Sequence, residues 1–235
     1  MRQDRPRGQF VDPRRASWVP IRTRGELPHL YKEGCTYFVT FRLWDAIAPS
    51  GKRKKAARVA GKGAGGTPAP RATKESVRQS LAVTELDASA IARAAEPTLR
   101  AGLCLSGRPE CAELVQNALL QFEGQRYLLF SWCVMLNHVH VVFAPLHAWP
   151  PSVILHSWKS FTSHALNNLL GRKGALWERE SFDHLIRSFE QLGAFVHCVE
   201  NKPVEAGLCG NAAEWRYSSA YFAKRAGGAG LKEYQ

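Results

Sequence analysis

Apolar positions along this chain fall into two kinds of block, short runs with partial alternation and longer stretches that repeat every three or four residues. Residues 35–43 (CTYFVTFRL) are aromatic and β-branched and predict a strand that opens a sheet. Residues 84–95 are Ala-rich, with Thr84 and Asp87 spaced like a capping box and Pro97 just beyond, and predict a helix. In 109–122, Cys111, Leu114, Val115, Ala118 and Phe122 recur at helical spacing behind Pro109, and Gly124 marks the stop. Two apolar runs, 127–135 (YLLFSWCVM) and 138–144 (HVHVVFA), are separated only by Leu136 and Asn137, which predicts a hairpin of two buried strands. A third helix is expected from an N-cap at Ser152 to about Leu170, with Gly171 as its stop and Ile154, Leu155, Trp158, Phe161, Thr162, Ala165, Leu166 and Leu169 on one face. Residues 175–178 read as a strand or a turn, and 189–200 as a helix halted by Pro203. Strands grouped against helices in this order predict an α+β domain, an antiparallel sheet covered by helices, rather than a doubly wound parallel sheet.

Charge changes this picture in two places. The chain of 235 residues carries a formal net charge of +12. Residues 1–24 hold seven Arg against Asp4 and Asp12, and residues 51–74 hold eight Lys or Arg and no acid, so everything else together is close to neutral. The second segment, which includes Lys52, Arg53, Lys54 and Lys55, has almost no large apolar side chain and cannot offset its ordering entropy. It reads as a low-complexity insertion at 49–75, either simply solvated or acting as an arm for phosphate backbones. The organisation expected is a basic, disordered arm at 1–24, one domain over 25–222 that contains the insertion, and a flexible tail at 223–235. No run of about 18 apolar residues is present, so a membrane-spanning helix is excluded, and nothing at the N-terminus marks secretion. A cytoplasmic setting follows as the default. The six cysteines lack metal-ligand spacing and read as small, mostly buried side chains.

His138 and His140 flank Val139, and on a strand residues two apart share a face. Such a pair can hold a divalent ion or grip a phosphate oxygen; it can also be two ordinary strand histidines. Lys159, Arg179 and Arg187 are candidate nucleic-acid contacts, each with a plainer account as a solvated or ion-paired side chain. Trp158 and Trp177 read as core, His184 as structural, and Tyr217 as packing.

Around this pair the sequence resembles a family. VMLNHVHVVFAP at 134–145 is similar to the histidine signature of the single-tyrosine HUH transposases, with Leu136 where Pro is usual. HSWKSFTSHALN at 156–167, ALWERESFDHLIR at 175–187, ENKPVEAGL at 200–208 and EWRYSSA at 214–220 resemble, in the same order, the branch called REP-associated tyrosine transposases. The resemblance implies a ferredoxin-like sheet with helices on one face, usually in a homodimer, that binds hairpin or single-stranded DNA. It implies that His138 and His140 hold Mg or Mn to polarise a phosphate, that a helical tyrosine attacks phosphorus, and that no nucleotide cofactor takes part. Counting back from Pro203 puts Cys198 at the tyrosine's position and Lys202 at that of the polar third ligand, usually an Asn; Lys202 offers a metal no lone pair, and its ammonium is instead a candidate nucleic-acid contact that can grip a phosphate. Asn201, four residues after His197, is the nearest substitute ligand, rotated about 100° from the expected face. These departures predict weak or absent strand transfer. The functional expectation is a DNA-binding, transposase-like protein of the nicking-and-rejoining class. Its competitor is a noncatalytic nucleic-acid-binding module of the same descent, and hydrolysis of a small molecule is disfavoured with only two secure ligands.

Overall fold

A computed structural model describes residues 22–23, 28–29, 35–44, 88–94, 105–146 and 149–225. The basic segments at 1–21 and 51–74, and with them Lys52, Arg53, Lys54 and Lys55, lie outside the described residues. Two short strands, β1 (Arg22–Thr23) and β2 (Pro28–His29), pair with each other. The main sheet consists of β3 (Thr36–Arg42), β4 (Tyr127–Val134), β5 (His138–Pro145) and β6 (Phe182–Ile186), in the order β4-β5-β3-β6, antiparallel throughout. This is the ferredoxin-like order. Helices α1 (Ala88–Ala94), α2 (Pro109–Leu120), α3 (Pro151–Leu169), α4 (Phe189–Glu205) and α5 (Ser219–Arg225) pack on it.

Strand β3 is buried at every position but Arg42 because both faces of the sheet are covered. Tyr37, Val39 and Phe41 join Val139, Val141 and Phe143 of β5 on one face, under α2 and α3 through Val115, Leu119, Ile154, Trp158 and Leu166. Phe38 and Val142 lie on the other, under α1 and α4 through Ile91, Phe195, Val196 and Val199. The helices expected on one face therefore divide between two. An apolar layer on each side leaves the central strands β3 and β5 almost no solvated surface, which is why they read as near-continuous apolar runs rather than clean alternations.

The hairpin of β4 and β5 turns at Leu136 and Asn137 as expected, closed by Met135 N–H donating to the His138 carbonyl (2.9 Å). Its register slips between Leu129 and Ser131, a bulge that reorients the middle of β4. The far edge of β4 is covered by the chain after α4: Val134 N–H donates to the Tyr217 carbonyl, and Cys133 bridges to Ser218.

Several expectations need correction. Helix α3 starts from Pro150 as its N-cap with Pro151 in the first turn, so Ser152 is already helical; two prolines set φ for the entry without a capping hydroxyl. Helix α4 runs through Pro203 to Glu205, because a proline in the last turn gives up one backbone bond and its own carbonyl still accepts from Leu208 N–H (2.8 Å). Its true N-terminal signal is Ser188, whose hydroxyl accepts from Gln191 N–H. Residues 175–178 form no strand, yet Trp177 bridges to Leu43 and Glu178 N–H donates to the Arg42 carbonyl, extending the pairing at the end of β3. The edge strand β6 was not expected at all: it is five residues long, carries Asp183 and His184, and buries only Leu185 and Ile186 fully. Helix α5 extends to Arg225, so a domain boundary at 222 falls inside it. No described helix is long and apolar enough to cross a membrane. None of the five described cysteines is in a disulfide, and all but Cys209 are buried.

Candidate nucleic-acid site

Register builds the site. Opposite residues of antiparallel strands point to one face, so Thr40 stands beside His140, Arg42 beside His138, and Cys133 beside His140 on the other flank. All of these lie on the face that α4 covers. Helix α4 brings Cys198 and Lys202, one turn apart, to the same side as Phe195 and Val199.

The two imidazoles meet at close to right angles, with Nε2 to Nε2 at 2.9 Å and ring centroids 4.6 Å apart. Each remaining nitrogen has its own partner: Asn137 Oδ1 at 2.8 Å from His138 Nδ1, and Thr40 Oγ1 at 2.7 Å from His140 Nδ1. An amide oxygen only accepts, which fixes a proton on His138 Nδ1, and with no second proton on that ring the order along the rest of the chain follows. His138 Nδ1–H donates to Asn137, His140 Nε2–H donates to His138 Nε2, and the Thr40 hydroxyl donates to His140 Nδ1. Both rings are then neutral. Phe38 stacks on His140, with centroids 5.7 Å apart and planes 18° apart.

Electrostatics agree with that assignment. Burial first, then the Lys202 ammonium and the Arg42 guanidinium, push His138 down to about 3. Burial, His138 and Lys202 hold His140 well below the ordinary histidine value. Burial also raises the Cys133 thiol well above its usual range, aided by Cys209 and Glu200. Cys198 is 3% exposed, on the buried face of α4 in the core layer between that helix and the sheet. Lys202 is 1% exposed, and its ammonium donates to Glu205 Oε2 at 2.7 Å.

These residues do not make a fitting cage for Mg or Mn. Two Nε2 atoms 2.9 Å apart could serve as neighbouring ligands of one ion, but no three His, Cys, Asp or Glu groups among the described residues gather to complete the set. The cation that both imidazoles feel is the Lys202 ammonium, which has no lone pair to offer. Asn201 does not fill the gap: it turns back along its own helix, Nδ2 donating to the His197 carbonyl at 2.9 Å, and His197 is exposed.

The other candidates scatter. Lys159 is a strut rather than a free cation: its ammonium donates to the Arg179 carbonyl (3.0 Å), the Glu180 carbonyl (3.4 Å) and the Ser181 hydroxyl (3.2 Å), and burial lowers it to about 8. Arg179 is exposed, while Arg187 is half-buried beside His184. Glu178 pairs with Arg42 at 3.5 Å. Trp158 and Trp177 are core residues, donating to the Tyr127 and Thr162 hydroxyls. Tyr217 packs in the core, as expected. A groove of about 350 Å³ between α2 and α3, lined by Phe122, Trp158 and Phe161, lies on the opposite face of the sheet from the histidines.

Thr40, Asn137 and Glu205 were missed by the sequence reading. Asn137 and Glu205 carried a signal, one beside the histidine pair and the other three residues after Lys202 on the same helix; Thr40 becomes visible only through strand register.

No protein-family model matches the chain, and no curated protein matches it. Among solved structures, it is similar to a REP-associated tyrosine transposase bound to a REP hairpin, with 16% identity over 89% of each chain and a TM-score of 0.50. The chain therefore has the fold of that transposase.

Proposed function

We propose that this protein binds DNA in single-stranded or hairpin form, as a transposase-like protein of the REP-associated branch that has given up tyrosine-based strand cleavage. The observation that carries this reading is the pairing of one fold with one altered site. A sheet and helix order like that of a hairpin-bound transposase presents its histidine pair to a helix that holds Cys198 and Lys202. A buried thiol and a paired ammonium supply neither a phenol to attack phosphorus nor a ligand to complete a metal site. The positive charge at 1–24 and 51–74 supplies affinity for the phosphate backbone without sequence information. The homodimer implied by the resemblance belongs to the same reading.

The test is a binding and cleavage assay on labelled DNA hairpins with single-stranded tails, set against a duplex of equal length. The expected outcome is preference for the hairpin, affinity that falls as salt rises, and no nick or covalent protein–DNA product in Mg or Mn. Equal affinity for duplex, or no binding, would sink the DNA reading. Cleavage that depends on His138 and His140 would restore catalysis and overturn the loss proposed here. Light scattering of the same samples reads the dimer.

A further inference from the structure

The misfit of the histidine pair to a metal has a positive side. Lys202 places a full charge inside the protein, where an isolated ammonium is costly unless a partner compensates it. Its partner, Glu205, is 47% exposed while Lys202 is 1% exposed, so the carboxylate lies toward solvent and can leave without unfolding anything. Asn137 is 5% exposed, and its Nδ2 finds no hydrogen-bond partner among the described residues while its Oδ1 is held by His138. A buried donor without an acceptor is a cost that a bound acceptor would remove. The inventory is thus a cation, an unspent amide donor and one exchangeable anion. A divalent ion would add charge of the same sign beside Lys202, and an anion would complement it.

We infer that this site takes a phosphate oxygen directly, with the Lys202 ammonium standing in for a metal cation and Glu205 occupying its place until phosphate displaces it. The inference takes the DNA reading above as the source of the phosphate, but the site itself does not depend on that reading. No covalent bond is made or broken: a carboxylate–ammonium pair is exchanged for a phosphate–ammonium pair.

The experiment uses the full chain. Free Mn2+ is followed by electron paramagnetic resonance during titration, and hairpin binding is measured in EDTA and in Mn2+. The expected result is no Mn2+ site that His138→Ala removes, and the same hairpin affinity in both buffers. Lys202→Met, nearly equal in volume, weakens hairpin binding on the order of tenfold, the effect of removing one charge-assisted hydrogen bond. Glu205→Gln strengthens it about threefold, the scale of a half-exposed ion pair removed. A His138-dependent Mn2+ site in the wild-type chain, binding abolished by EDTA, or Lys202→Met binding like wild type would each overturn the inference. If no hairpin binds at all, the functional reading fails alone, and inorganic phosphate then reads the site through the imidazole 15N resonances. A shift that Lys202→Met abolishes upholds the inference, and no shift refutes it.

Discussion

The hydroxyl of Thr40 decides which nitrogen of His140 carries a proton, because a buried Nδ1 at 2.7 Å needs either a donor or a proton of its own. Thr40→Val keeps the shape and removes the donor. We expect a drop in stability of about 1–2 kcal/mol in urea unfolding, the cost of one buried group left without its bond. Acid acts on the same residues. His138 is lowered to about 3 and His184, by burial and then Arg187, to about 4, both below the 6.5 of an unfolded histidine. Between those values the unfolded chain binds protons that the folded chain refuses, so stability is complete above about pH 6.5 and falls with acidification. Each such group contributes about 1 kcal/mol per pH unit within its window. Melting temperatures from pH 7 to pH 4.5 should drop steeply, and His184→Gln should make the drop shallower; a flat profile would contradict the neutral histidines. The histidine pair was legible in the sequence because two residues on a strand need only the period of two. Its proton order was not, since Thr40 lies a hundred positions away and reaches His140 only through strand register.

At the scale of elements, Lys159 shows how one side chain can serve as a support rather than a ligand contact. It ties α3 to the segment before β6 through three acceptors, so Lys159→Met should destabilise the fold by about 2 kcal/mol and leave hairpin affinity within about twofold. A large fall in DNA binding with unchanged stability would return it to the interface. The elements that the sequence revealed are those whose signals are local. The hairpin of β4 and β5 shows two apolar runs and a two-residue turn, and α2 shows a proline start and helical spacing. Strand β6 gave no such signal, because it is held by pairing with β3 and by the layer under α4 rather than by its own composition. Pro203 misled for the opposite reason: its local meaning is a stop, but one missing bond in a final turn is outweighed by the burial of the helix's apolar face, Phe195, Cys198, Val199 and Pro203.

For the whole molecule, charge is arranged separately from chemistry. The segments at 1–24 and 51–74 carry net charges that account for the entire excess of +12, while the rest of the chain is nearly balanced. Deleting 51–74 should lower hairpin affinity and flatten the dependence of log K on log salt, by about 0.7–0.9 for each phosphate that the segment neutralises, measured by anisotropy at several salt concentrations. An unchanged slope would show that the segment does not touch DNA. The α+β layout was legible because strands and helices come in an order that an antiparallel sheet accommodates, but coverage of both faces was not, since apolar runs do not reveal which helix lies on which side. The two departures on α4 from the pattern of the resemblance can also be counted in codons. Cysteine and tyrosine codons differ only at the middle base, and lysine and asparagine codons only at the last. Cys198 and Lys202 therefore each stand a single nucleotide from the residues that the resemblance implies for a cutting enzyme. Drift can cross that distance in either direction, and the step most resisted is the ring of a tyrosine, which has to enter a layer already filled.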